Sequence, residues 1–246
     1  DLSDEQEAFI VNYFGADLKT CEVIYVHNWQ EREYLGSSIP LEQIGNITIS
    51  SAYVQPTNSG GIQVKTANLT YVTGNMIASV MSTAGIKNCN VVAAAPFPVS
   101  GTGALTGIMI AYQKATGKQL SEEKKDLAVQ EFVVTQQASN SIGEDEALQL
   151  VNAVKMEVIA SGVSSDDTDT IAEIVNNIEQ TIVNDSSTTT NTTTNTAVAT
   201  NIIDNSITNI DNSVTNVDNS STYINNGLSD EDRQMIIDLA TEIAKQ

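Results

Sequence analysis

Between Asp185 and Asn226, 31 of 42 residues are Ser, Thr, Asn or Asp, and the stretch holds no Gly, Pro, Lys, Arg or Glu. The chain is long enough for one well-filled core plus an appendage, and so polar a stretch reads as the appendage, with too little apolar surface to offset its own ordering entropy. From Asn201 the stretch repeats a seven-residue phrase, NIIDNSI, TNIDNSV, TNVDNSS, TYINNGL. Its aliphatic residues Ile203, Ile207, Ile210, Val214 and Val217 recur at spacings of four and three, with Ile224 one heptad further on, the seam of a coiled coil. Counting back in sevens places Thr200, Thr196, Thr193 and Thr189, then Ile182 and Val175, in the same frame.

Composition works against a lone helix here. Asn, Asp, Ser and Thr each cost roughly half a kcal/mol against Ala, so about thirty of them cost on the order of 15 kcal/mol. Only burial of the seam against other chains, at roughly 1.5 to 3 kcal/mol per side chain, offsets that. Three readings stay open: an oligomeric coiled coil, a flexible linker, and β structure, which the Thr and Ile content also accepts. The seam favours the first, and Ile at both seam positions favours three or four strands over two.

The rest of the chain alternates strand and helix signals. Ser3 and Gln6 form a capping box for a helix that Gly15 closes. Strands are expected at Cys21–His27, Ile47–Val54, Ile62–Val72 and Val91–Ala95, with a helical turn at EREYLG (31–36) and a short helix at Met76–Ala84. Pro56-Thr57-Asn58-Ser59-Gly60-Gly61 is turn chemistry and predicts an antiparallel hairpin between the second and third strands. Strand, helix and strand in succession then predict a parallel crossover. Helices are expected near 102–116, 121–138, 144–161 and 167–183, separated by Gly117, Gly143 and Gly162. The fold class is therefore α/β, α+β-like: a mixed sheet of about four strands with packed helices, then a helical half. This gives a globular domain at 1–183, a heptad stalk or linker at 184–228 and a C-terminal helix at 229–246. Leu-Ser-Asp-Glu opens both terminal helices, a shared capping grammar.

Charge narrows the partners. Asp and Glu outnumber Lys and Arg 31 to 11, a net charge of −20, which supplies no cationic footprint for nucleic acid or anionic lipid. No apolar run reaches the length of a membrane span. Cys21 and Cys89 each stand at the start of an expected strand. A bridge between them would stabilise by roughly 4 kcal/mol; two buried free thiols are the alternative.

No catalytic signature matches the seam in strength. Ser100-Gly101-Thr102-Gly103 lies between a strand and a helix, where backbone N–H groups can meet an anion, but it lacks the lysine of a phosphate-binding loop. His27 is the single imidazole and no serine elbow accompanies it. Glu31 and Glu33, like Glu144, Asp145 and Glu146, read as solvated or first-turn residues. Asp166-Asp167-Thr168-Asp169 is oxygen-rich but lacks the glycine and distal glutamate of a calcium loop. Asp204, Asp211 and Asp218 would stack as acidic rings in a parallel oligomer. No metal or cofactor is expected.

LSDEQEAFIVNYFG (2–15), EREYLG (31–36), QIGNITISSAYVQP (43–56) and VVAAAPFPVSGTGALTGIM (91–109) together resemble the YpuA-like family of uncharacterised proteins from endospore-forming Gram-positive bacteria. The resemblance covers about residues 1–183 and returns at LSDEDRQMIIDLATEIAKQ, leaving the heptad segment as an insertion. It implies export with cleavage of a signal peptide, consistent with a chain that opens at Asp1, and brings no catalytic residues. The expected function is a secreted, non-enzymatic surface or matrix protein that self-associates through the heptad seam, with filaments as one form of the assembly. The alternative is a ligand-binding module or enzyme using the Ser100–Gly103 turn, with the segment as spacer.

Overall fold

A computed structural model describes residues 2–188 and 227–246, with side chains for 2–182 and 227–246. The seam residues Ile203, Ile207, Ile210, Val214, Val217 and Ile224 lie outside the described residues. The chain is a mixed α/β protein, and its described residues form two compact units, one ending at Lys125 and the other starting at Asp126.

The first unit runs α1 (Asp4–Phe14), α2 (Asn28–Leu35), α3 (Leu41–Ile44), β1 (Ser51–Pro56), β2 (Ile62–Leu69), α4 (Gly74–Thr83), β3 (Cys89–Val99) and α5 (Thr102–Thr116). Ser3 caps α1 through the expected box with Gln6, and Gly15 ends the helix in the left-handed region at φ 62°. The sheet order is β1-β3-β2, with β3 antiparallel to β1 and parallel to β2. Hydrophobicity marks the strand that is covered on both faces. Val91, Ala93, Ala94 and Ala95 of β3 are all buried, as a near-continuous apolar run requires of a strand covered on both faces. β2 instead alternates, burying Ile62, Val64 and Thr66 while Lys65 faces out.

Two expectations are corrected. β1 and β2 are not a hairpin, because β3 lies between them. The Pro56–Gly61 connection is long enough to span two strand spacings, about 10 Å, and β3 enters beneath it: Asn88 O accepts from Thr57 N at 3.3 Å and Gly61 O from Cys89 N at 3.0 Å. The parallel β2–α4–β3 crossover is as expected. Second, the described sheet has three strands, not four. Cys21 N donates to Asp17 O in a turn, and Cys21–His27 makes no ladder although its composition is β-like.

The second unit holds α6 (Glu122–Ile142) from Asp126 onward, α7 (Glu144–Ser161), α8 (Thr168–Thr188) and α9 (Asp230–Ile243). Leu127, Val134 and Ile142 of α6, Leu150, Val154 and Val158 of α7, Ile171 and Val175 of α8, and Ile236, Leu239 and Ile243 of α9 share one core. Val175 and Ile182, the first two positions of the heptad frame, therefore serve this core: Val175 is fully buried and Ile182 packs against it. Ile10 and Ile236, equivalent in the two Leu-Ser-Asp-Glu helices, are both buried.

Glu179 joins the two helices that flank the undescribed stretch. It accepts from Leu228 N at 3.0 Å, and from Arg233 Nε and Nη2 at 2.8 and 3.0 Å. Arg233 also donates to Asp230 Oδ1 at 2.9 Å, and its pKa is raised, chiefly by the Glu179 hydrogen bonds. The return end of residues 189–226 is thus tied to α8 at Glu179, nine residues before the last described residue of that helix. Glu179→Ala strips the acceptor from a partly buried guanidinium and a buried N–H, at a cost of about 3 kcal/mol. Thermal melting should fall, and hydrogen exchange should quicken in α9 while the β-sheet amides keep their protection; uniform loosening would contradict this.

Candidate functional site

Glu31 is the buried charge around which the first unit is arranged. It shares a face of α2 with Leu35, one turn on, and only 1% of it is exposed. Its Oε1 accepts from Thr102 Oγ1 at 2.5 Å, and its Oε2 from Thr48 Oγ1 at 2.6 Å and Asn28 Nδ2 at 3.4 Å. Arg32 holds Asn28 in place, donating to Asn28 Oδ1 at 2.8 Å and to Gly45 O and Asn46 Oδ1, both at 2.9 Å. A buried carboxylate is tolerable only with such charge-assisted partners. It lies beside the first turn of α5, whose N–H dipoles favour an anion.

The Ser100–Gly103 turn is accordingly committed to an anion within the same chain. Gly101 enters α5 at φ 95°, Thr102 bonds Glu31, Ser100 Oγ is 3.1 Å from Thr102 Oγ1, and Ser50 Oγ accepts from Ala104 N at 2.8 Å. A Cβ on Gly103 would stand 2.5 Å from Thr48 Cγ2 and 3.2 Å from Ser50 Oγ. The glycine lets α5 approach Glu31. Of the two readings of Glu31, solvated or first-turn, the second holds: it stands in the first turn of α2 and is buried, and its spacing from the apolar Leu35 was the available signal. Glu33 is exposed, as expected.

Beside this cluster opens a cleft of about 580 Å³. Its walls are α1, with Ile10 and Phe14; the ladder-free segment, with Ile24 and Val26; and β1, with Tyr53 and Val54. Its floor is α5, where Gly103, Gly107, Ala111 and Ala115 follow one another at every fourth position. Around it Tyr25 Oη donates to Glu7 Oε1 at 3.5 Å, and Lys114 Nζ stands 3.4 Å from Glu22 Oε1. The volume lies in the range of ligand sites, and the apolar walls suit binding rather than acid–base chemistry.

The other singled-out residues have local structural roles. His27 is exposed and precedes α2, its N–H donating to Gln30 Oε1 at 2.9 Å. Asp167 caps α8 through Thr170 N and Thr170 Oγ1, at 3.2 and 2.8 Å. Among the described residues no three His, Cys, Asp or Glu side chains gather as metal ligands. Cys21 and Cys89 are free thiols.

Cys89 is fully buried, and burial pushes its thiol up to about 11, a bond with the Gln55 backbone offsetting only part of the shift. At pH 8 about a thousandth of it is thiolate. Iodoacetamide should therefore label half-buried Cys21 and spare Cys89 until denaturant is added; equal labelling, or a disulfide in the intact mass, would contradict the structure. Gly103→Ala should destabilise the first unit by about 1–3 kcal/mol through overpacking. Adding Thr48→Ser, which removes the clashing methyl and keeps the hydroxyl on Glu31, should restore most of the loss in thermal melting.

Comparison with known proteins agrees with this picture of a defined fold without an assigned activity. Residues 1–219 match the family described as a protein of unknown function, DUF1002, so the match extends into the Thr/Asn-rich segment and ends before α9. The chain is 35% identical over 170 residues to an uncharacterized protein, YpuA, of Bacillus subtilis (strain 168). That alignment covers 69% of this chain and 58% of the relative. No solved structure matches the chain. On the extent of the family match and the identity to YpuA, the chain belongs to the DUF1002 family of YpuA-like proteins of unknown function.

Proposed function

We propose that this protein is a secreted, non-enzymatic surface or matrix component that self-associates through Ile203, Ile207, Ile210, Val214, Val217 and Ile224. The observation that supports this reading is the Glu179 clamp. Leu228 and Arg233 both bond Glu179, so the two helices that flank residues 189–226 are held together within the second unit. A spacer joins two separately folded units; here the helices on both sides of the segment belong to one. Association of the seam with other copies would bury its Ile and Val side chains and so offset the poor helix propensity of their neighbours. The alternative, ligand binding at the Ser100–Gly103 turn, loses support because Glu31 already faces that turn.

The proposal sets an expected outcome for the seam. Ile207→Asp, Ile210→Asp and Val214→Asp together should leave the far-UV circular dichroism of the two units in place and reduce the particle mass in light scattering to that of a monomer. An unchanged mass refutes self-association by this route. Export is tested separately, by fractionating the cells of the source bacterium for the protein.

A further inference from the structure

The cleft opens beside the outer edge of β1. Among the described residues β1 pairs only with β3, so half of its backbone N–H and C=O groups point away from the sheet. Across the cleft, Glu22–Val26 makes no backbone hydrogen bond to β1 or to any other described residue. Backbone polar groups lining an apolar cleft require partners. The other free edge, β2, carries Lys65, a charge of the kind that blunts strand addition. β1, Ser-Ala-Tyr-Val-Gln-Pro, carries none.

The floor points the same way. Gly107 lies within α5, where glycine costs about 1 kcal/mol against alanine, yet no positive φ requires it. A Cβ there would meet only Val26 Cγ2, at 4.0 Å. Unlike Gly103, which a tight contact explains, Gly107 keeps space open under the cleft. We infer that this cleft receives an extended peptide from a partner protein, added to β1 as a fourth strand with its alternate side chains over Gly107 and Ala111.

Charge selects the peptide. Residues 1–50, which supply α1 and the ladder-free wall, contain nine Asp and Glu against two Lys and Arg. Glu7 and Glu22 line the cleft, and the one lining lysine, Lys114, is already beside Glu22. The occupant is therefore an apolar strand flanked by Lys or Arg. The chain's own 189–226 segment has three Asp and no Lys or Arg, so the same field disfavours it.

Three capped probe peptides test this on the full chain by calorimetry and amide hydrogen exchange: Lys-Val-Thr-Val-Thr-Val-Lys, the same strand with Glu at both ends, and the basic strand with both Thr replaced by Pro. The basic strand should bind at least tenfold more tightly than the other two and slow exchange of the outward amides of Ser51–Gln55 at least tenfold. Gly107→Leu should weaken it at least tenfold with no fall in melting temperature; Ala111→Leu gives the same readout if the first variant does not fold. Equal binding of the proline peptide, unchanged exchange in β1, or full binding by a folded, cleft-filled variant overturns strand addition. Tighter binding of a peptide spanning residues 201–217 overturns the basic partner in favour of a second copy.

Discussion

A carboxylate buried to 1% exposure is costly unless every lone pair is used, and Glu31 draws its donors from parts of the chain 3, 17 and 71 residues away. Helix α2, the approach to β1 and the start of α5 are therefore held by one group whose desolvation penalty, several kcal/mol, returns if any donor leaves. The tie also fixes where space remains. With α5 drawn onto Thr48 and Ser50 through Gly103, the Cys21–His27 segment is held next to β1 without joining its ladder. The cleft is the remaining volume. Its position follows from a polar cluster rather than from the apolar packing that forms its walls.

Much of this was legible in the residues, and the unread parts share a cause. Helices α5 and α7 match their expected bounds, and the capping boxes, the terminal glycines and the double-sided burial of β3 follow from local chemistry. Local chemistry says nothing of which strand takes the centre. Pro56–Gly61 has turn residues whether it joins neighbours or passes over a third strand, and Cys21–His27 has β-branched side chains whether or not a ladder forms. The first-turn place of Glu31 is local, but its burial is not: a glutamate is ordinarily solvated, and only its non-local meeting with Thr48 and Thr102 makes burial tolerable.

The heptad frame needs a similar separation. Ile171, Val175, Ile178 and Ile182 follow the helical stripe spacing, and the second unit's own core accounts for all four. Their continuity with Ile203 and Ile207 therefore adds nothing to the case for a partner chain. That case rests on residues 203 to 224 alone, where the aliphatic positions persist although most of their neighbours are Asn, Asp, Ser and Thr.

Loop closure sharpens the point. Bringing together the ends of a 38-residue stretch, 189 to 226, costs about 3 kcal/mol from (3/2)RT ln n, and doubling it adds only about 0.6. Burial of Ile236, Leu239 and Ile243 on the second unit's core contributes roughly 1.5 to 3 kcal/mol each. Docking of α9 thus outweighs closure before the Glu179–Arg233 bonds are counted. A sequence of almost any length and pattern would satisfy that balance, so closure cannot be what keeps aliphatic residues at every third and fourth position. Isolated in so polar a stretch, those residues gain nothing from solvent. An apolar surface to meet is the requirement that their spacing implies, and in the proposed self-association a matching seam on another copy supplies it.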